Sequence, residues 1–241
     1  MIFISTVSLS KKVSVKEAAT ATVGPDGKPV DSAQTGNLDL SKTDISSLPE
    51  NMTVAGNLDL SYTKVSALPE GLSVGGFLDI RYTKVSVLPK KMYVGGYLDL
   101  RNTEISEIPA GMEFHKNLYL SNTNIAFLPE NLVVKGSLYL DGTKIATLPK
   151  GLVVGGNLHL SGTKITSVPA DIQVGGHLDL SKTGLTELPE GLYVGGDLNI
   201  SDTKVNTLPQ KLNVGGDLHL DTKIAVNPAT APSVGGAVRR K

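Results

Sequence analysis

Four carboxylates recur at one spacing. Asp39, Asp59, Asp79 and Asp99 stand 20 residues apart, and the same register continues through Tyr119, Tyr139, His159, Asp179, Asn199 and His219. If each 20-residue unit contributes one strand to a stack, neighbours in this file lie about 4.7–4.9 Å apart. Carboxyl pairs at about 5 Å suit retaining glycoside hydrolysis. Acid–base work, however, needs surroundings that separate the two pKa values, and nothing in the sequence distinguishes one Asp from the next. A divalent cation such as calcium also takes carboxylate oxygens. The simpler expectation is a row of solvent-screened surface aspartates. Their repulsion, about 1 kcal/mol per contact at water-like dielectric, is offset either by Arg81 and Arg101 beside them or by a bound cation. His159, His177, Asp179 and His219 gather on later units, but ligands on an open face without supporting partners read as a surface cluster. No enzymatic activity, no cofactor and no metal centre is expected.

Aromatic and arginine side chains make the stronger signal. With Gly36 as the first residue of a unit, the second position holds Phe77 and Tyr97 in adjacent units, the sixth holds Arg81 and Arg101, and the seventh holds Tyr62 and Tyr82. Stacking the units brings Tyr62, Phe77, Asp79, Arg81, Tyr82, Tyr97, Asp99, Arg101, Tyr119 and Tyr139 onto one patch. Six of the chain's eleven Phe and Tyr residues fall there. Aromatic and Arg residues dominate interface hot spots, and a sheet face presents them pre-organised. The patch therefore reads as a partner-binding surface, the rival being drift on a solvated face. Close by, the Val-Gly-Gly motif of other units gives way to Phe114-His115-Lys116, and Lys135 replaces a Gly. A threonine file from Thr43 to Thr222 faces inward by this phase. It predicts a buried ladder, since an ice-binding surface would want outward pairs. Lysines such as Lys64, Lys84 and Lys144 form a solubilising ridge at the rim.

Bulk composition narrows the function classes. The 241 residues carry 23 Lys+Arg and 23 Asp+Glu, a formal net charge of zero. That argues against a nucleic-acid partner, which calls for a basic excess. The absence of cysteine removes disulfides, Cys-ligated metals and thiol nucleophiles. No apolar run approaches the ~20 residues of a membrane span. Residues 1–9 are apolar but lack a preceding positive charge and a small-residue cleavage site, so no signal peptide is read. A cytoplasmic or virion-associated location is the expectation.

The elements that position these side chains follow from the repeat. Proline recurs at 49, 69, 89 and every twentieth residue to 209, and leucine from Leu38 to Leu218 without substitution. One unit, from Gly156, reads GNLHLSGTKITSVPADIQVG. Leu-x-Leu alternates as a strand does, with both leucines on one face. Leu-Pro ends the run, because proline cannot donate to a ladder and stiffens the return segment. Two residues after Pro come Asn51, Gly71, Lys91 or Asp171, a mix suited to a left-handed turn. Gly-Gly turns the corner into the next strand. About seven inward apolar or Thr positions per unit cannot close a core alone, so the units must stack. Helix is not expected, as no segment holds an i, i+3, i+4 apolar pattern for ten residues.

The Leu-x-Leu-x-x-Thr-x-Ile-x-x-Leu-Pro pattern resembles the leucine-rich repeat, in its short bacterial form of about 20 residues ending in Leu-Pro. The resemblance covers residues 36–226 in ten units. It implies a mainly β solenoid with a parallel sheet on one face and little or no helix. Thr43 and its successors replace the usual Asn, their hydroxyls expected to bond the neighbouring coil's backbone, and Val-Gly-Gly replaces the usual leading Leu. Similar repeats occur in enterobacterial effectors joined to a cysteine-dependent ubiquitin ligase domain, an activity not expected here. Residues 1–35 read as an N-terminal cap and linker, with a hairpin in the first 16, and residues 227–241 as a tail. Two functions follow as expectations. One is a non-enzymatic module of bacterial or phage origin that binds a macromolecule, most simply a protein. The other is a structural subunit of a virion, sheath or surface assembly, whose termini lock homo-oligomeric neighbours together.

Overall fold

The computed structural model describes residues 33–224 and 232–241. The N-terminal hairpin expected in residues 1–16 lies outside them. The described chain is a parallel β-solenoid of 20-residue coils without a helix, and so without one long and apolar enough to cross a membrane. We number the coils from the one containing Leu38–Asp39. Eleven front strands, Leu38–Asp39 to Val238–Arg240, form one continuous parallel sheet in which Leu38 faces Leu58 and each later strand repeats the 20-residue register.

The leucine phase explains this sheet. Leu58, Leu60, Val65, Leu72 and Val74 of a single turn are fully buried, each burial contributing roughly 1.5–3 kcal/mol. Other coils supply apolar residues at the same positions, with Ile45, Met92, Val94 and Met112 only partly buried, and together they form one column. Thr63 to Thr203 form the expected buried ladder at 4–7 % exposure, whereas Thr222 is exposed. The hydroxyls do not bridge coils, as the sequence reading had it. Each donates to a carbonyl three residues earlier in its own coil, Thr63 Oγ1 to Leu60 O at 2.7 Å for example. With that bond the Thr closes the turn after the strand, and no donor is left for a neighbour.

Three further features depart from the expectation. The return segments form a second parallel ladder, split into four strands (Ala33–Gln34 to Tyr93–Val94) and seven (Glu113–Phe114 to Ser233–Val234). The residues read as a C-terminal tail supply Ser233–Val234 and Val238–Arg240, which pair with coil 10 as an eleventh coil. Left-handed backbone occurs at Asn51 and Gly71 as expected, but Lys91 and Asp171 do not adopt it. A second left-handed site recurs instead at the seventh position of nine coils: Lys42, Tyr62, Tyr82, Asn102, Asn122, Gly142, Gly162, Lys182 and Asp202.

Candidate macromolecule-binding site

The front face of coils 3 to 7 carries the candidate site, and its geometry starts from the strand ends. At the fourth position an Asp usually turns its Oδ1 back to accept the amide two residues on, as Asp59 does from Ser61 at 2.9 Å. Asp79 and Asp99 do the same for Arg81 and Arg101. Both arginines then fold over the carboxylates. Arg81 Nε donates to Asp79 at 2.9 and 3.0 Å, and Arg101 Nη2 to Asp99 Oδ2 at 2.6 Å. Arg81 Nε also lies 3.4 Å from Asp99 Oδ2, which links the two coils.

The solvent-screened aspartates of the sequence reading are therefore not found at these two positions. Asp79 and Asp99 are 3 % and 2 % exposed, covered by side chains on the outer face of the sheet. Of the two offsets considered for their repulsion, the structure shows the arginines. Burial pushes the Asp79 carboxyl above its ordinary range, against the lowering pull of Arg81. The bonds to the carboxylates hold both guanidinium groups more firmly protonated. Burial, and after it the charges of Asp79 and Asp99, raise the Tyr97 hydroxyl.

Beside this quartet runs a file of rings. Phe77 stacks on Tyr97 at 4.7 Å and 7°, and Tyr97 meets Tyr119 edge-on at 5.8 Å and 88°. Tyr119 stacks on Tyr139 at 4.6 Å, and Tyr139 on His159 at 4.5 Å. The Arg101 guanidinium sits 5.1 Å from the Tyr119 ring centroid, a cation–π contact. Tyr62 and Tyr82 stack on each other at 4.5 Å as a separate, half-exposed pair. The rings thus form two face-to-face blocks along the solenoid axis, Phe77–Tyr97 and Tyr119–Tyr139–His159, which meet edge-on.

His159, His177, Asp179, Asp197, Asn199 and His219 line one shallow depression, so the histidines and Asp179 grouped by sequence do lie together, and His159 also extends the ring file. Among the described residues no group of three His, Asp or Glu is arranged to hold a metal ion. His177 Nδ1 instead accepts the Asp197 amide at 2.8 Å.

That bond belongs to a ladder the sequence reading missed. At the second position, Asn57 Oδ1 accepts the Phe77 amide, Asn117 that of Ser137, Ser137 that of Asn157, and Asn157 that of His177. The ladder continues through Asp197 and Asp217 to the Ala237 amide. The signal was present as an acceptor side chain in every unit except at Phe77 and Tyr97. Neither side chain accepts the next coil's amide, and among the described residues the amides of Tyr97 and Asn117 have no such partner.

No family model matches the sequence, and no curated protein matches it. Among solved structures, the leucine-rich-repeat domain of a Shigella effector aligns over 84% of this chain and 81% of that one, at 17% identity and a TM-score of 0.42. YopM from Yersinia enterocolitica aligns over 83% of this chain at 19% identity and a TM-score of 0.41, and the match spans 55% of YopM. At these identities and scores, function has to be argued from the chain's own geometry.

Proposed function

We propose that the chain is a non-enzymatic repeat module, of bacterial or phage origin, that binds a protein partner across the front-sheet patch from Phe77 to Tyr139. The carrying observation is that the patch replaces structural residues. Phe77 and Tyr97 forfeit two inter-coil hydrogen bonds of about 0.5–1.5 kcal/mol each. Tyr62 and Tyr82 occupy left-handed backbone at φ 59° and 56°, which costs a bulky residue roughly 1–2 kcal/mol; five other coils place Asn, Asp or Gly there, and two place Lys42 and Lys182. The ring stacks return about 0.5–1.5 kcal/mol apiece. The exchange is close to neutral for stability, so stability does not account for the aromatic cluster, whereas recognition does.

The test compares wild type with a Tyr97→Ala/Arg101→Ala variant as immobilised baits, with circular dichroism and thermal melting confirming that both fold. Partners captured by wild type and lost by the variant support the patch. Equal capture removes it. For the structural-subunit reading, a neighbouring copy would pair with the outer side of Val238–Arg240, which has no partner strand among the described residues. Light scattering separates the two readings: a 25.3 kDa monomer at all concentrations favours the module, and a defined oligomer favours the subunit.

A further inference from the structure

The return ladder breaks between coils 4 and 5, and the sequence supplies a steric reason. At most corners the second glycine's amide bonds the preceding coil, Gly96 to Gly76 O and Gly156 to Gly136 O at 2.8 and 2.9 Å. A Cβ on Gly96 would lie 2.6 Å from the Gly76 carbonyl carbon, and one on Gly95 would collide with the Gly75 oxygen. One substituted corner position is tolerated. Ala55 leaves its strands paired, although Gly56 then reaches Gly36 O at 3.3 Å; between coils 5 and 6 the strands also stay paired, with Lys135 donating to Phe114 O at 2.8 Å as the one corner bond of the three that is kept there among the described residues. Coil 5 alone lacks both glycines, with His115 and Lys116 in their place. There the two strands do not pair, and among the described residues no bond joins Glu113 to Met92, His115 to Val94 or Lys116 to Gly96.

The front sheet runs unbroken through the same boundary, with Leu98 paired to Leu118 and Asp99 to Tyr119. One side of the solenoid is zipped by backbone pairing, while the opposite side lacks it and is bridged by a tilted Tyr93–His115 ring contact at 5.9 Å, which is the geometry of a hinge about the front strands. The ring file divides at this boundary too. Phe77 and Tyr97 are stacked on one side, Tyr119, Tyr139 and His159 on the other, and the two blocks meet edge-on. The Arg101–Tyr119 contact crosses the boundary.

We propose that the coil 4–coil 5 boundary is a hinge, set by His115 and Lys116, that adjusts the two halves of the patch relative to each other as a partner docks. The role in docking rests on the binding function above; the hinge itself is a property of the free chain. Closing motion on the return side tilts the Phe77–Tyr97 block against the Tyr119–Tyr139 block, so the surface conforms by rotation at one boundary while both stacks stay intact.

The chain has no cysteine, so spin-label pairs can be placed at will. Thr53→Cys/Val133→Cys spans the boundary and Val133→Cys/Asn213→Cys lies wholly beyond it, each pair four coils apart and all three sites exposed. Electron–electron distance measurements on the free protein should give a broader distribution across the boundary than beyond it. His115→Gly/Lys116→Gly should narrow the first and leave the second unchanged. In the unsubstituted chain, the amides of Glu113, His115 and Lys116 should exchange about tenfold or more faster than those of Gln173, Gly175 and Gly176. Equal widths for the two pairs, or equal exchange at the two corners, would overturn the hinge. Because these readouts need no partner, they fail independently of the Tyr97→Ala/Arg101→Ala capture experiment.

Discussion

Asp79 shows how one residue type at one repeat position takes different characters. The same register holds an exposed Asp39 and a buried Asp79, and the difference comes from the Arg, Phe and Tyr of coils 3 and 4 lying over the carboxylate. Because burial raises the Asp79 pKa in the folded state, the folded chain holds that proton more tightly than the unfolded one. Stability from this group is therefore present at low pH and declines as pH rises through the raised value. Asp79→Asn keeps an Oδ1 for the Arg81 amide and removes the titration. Its urea midpoint should lack the wild-type decline just above the ordinary carboxylate range. Asp217 and Asp221 carry the opposite sign: amide bonds from Ala237 and Asp202 lower their pKa values, and their contribution is lost on acidification. Lys182 gives a second prediction at this scale. It sits at φ 57° where other coils have Gly142 and Gly162. Lys182→Gly relieves roughly 1–2 kcal/mol of left-handed strain and adds about 0.5–1 kcal/mol of unfolded-state entropy, so denaturant melts should show a net gain of about 0.5–1 kcal/mol.

At the scale of elements, the corner decides whether neighbouring coils zip. Coils 7 and 8 are joined on the return side by the amides of Gln173, Gly175 and Gly176, donating to Leu152, Val154 and Gly156. Installing the coil-5 pair there, as Gly175→His/Gly176→Lys, should open a second break. Three lost bonds at about 0.5–1.5 kcal/mol each give a cost of roughly 2–4 kcal/mol in urea unfolding, with faster amide exchange confined to that corner. The front strand, the leucine phase, the Leu-Pro return and the threonine ladder were legible in the sequence, because each rests on a period-2 or period-20 rule that a residue type obeys wherever it falls. The return sheet was not, since two residues of β-phase after a proline carry no alternation to read. Nor was the acceptor ladder at Asn57, Asn117 and Asn157, because polar residues at an outward position look the same whether they face solvent or the next coil's amide. The left-handed seventh position was masked by Tyr62, Tyr82 and Lys182, residue types that rarely adopt it.

For the whole molecule, the eleventh coil shows how one more turn is bound to the stack. Ser233–Val234 and Val238–Arg240 extend both sheets by one coil. The basic residues of the second strand and Lys241 after it reach back to earlier residues: Arg239 bonds Asp217, Lys241 pairs with Asp202 at 2.8 Å, and Arg240 Nη1 donates to Ile224 O at 2.8 Å. Deleting residues 232–241 strips these contacts and the Ala237 end of the acceptor ladder. Protection should fall first in coil 10, at Leu218 and Leu220, with an overall loss of about 3 kcal/mol from several backbone bonds, while coils 3 to 7 stay protected. The sequence by itself determined the solenoid and its inward column, because a translational repeat converts spacing in the chain directly into neighbours in space. Only the tertiary structure decided which carboxylates are buried, which rings stack, where the return ladder opens and that the tail is a coil. Those outcomes depend on contacts between side chains one coil apart and on clearances of a few tenths of an ångström at the corners, to which a pattern of residue types is blind.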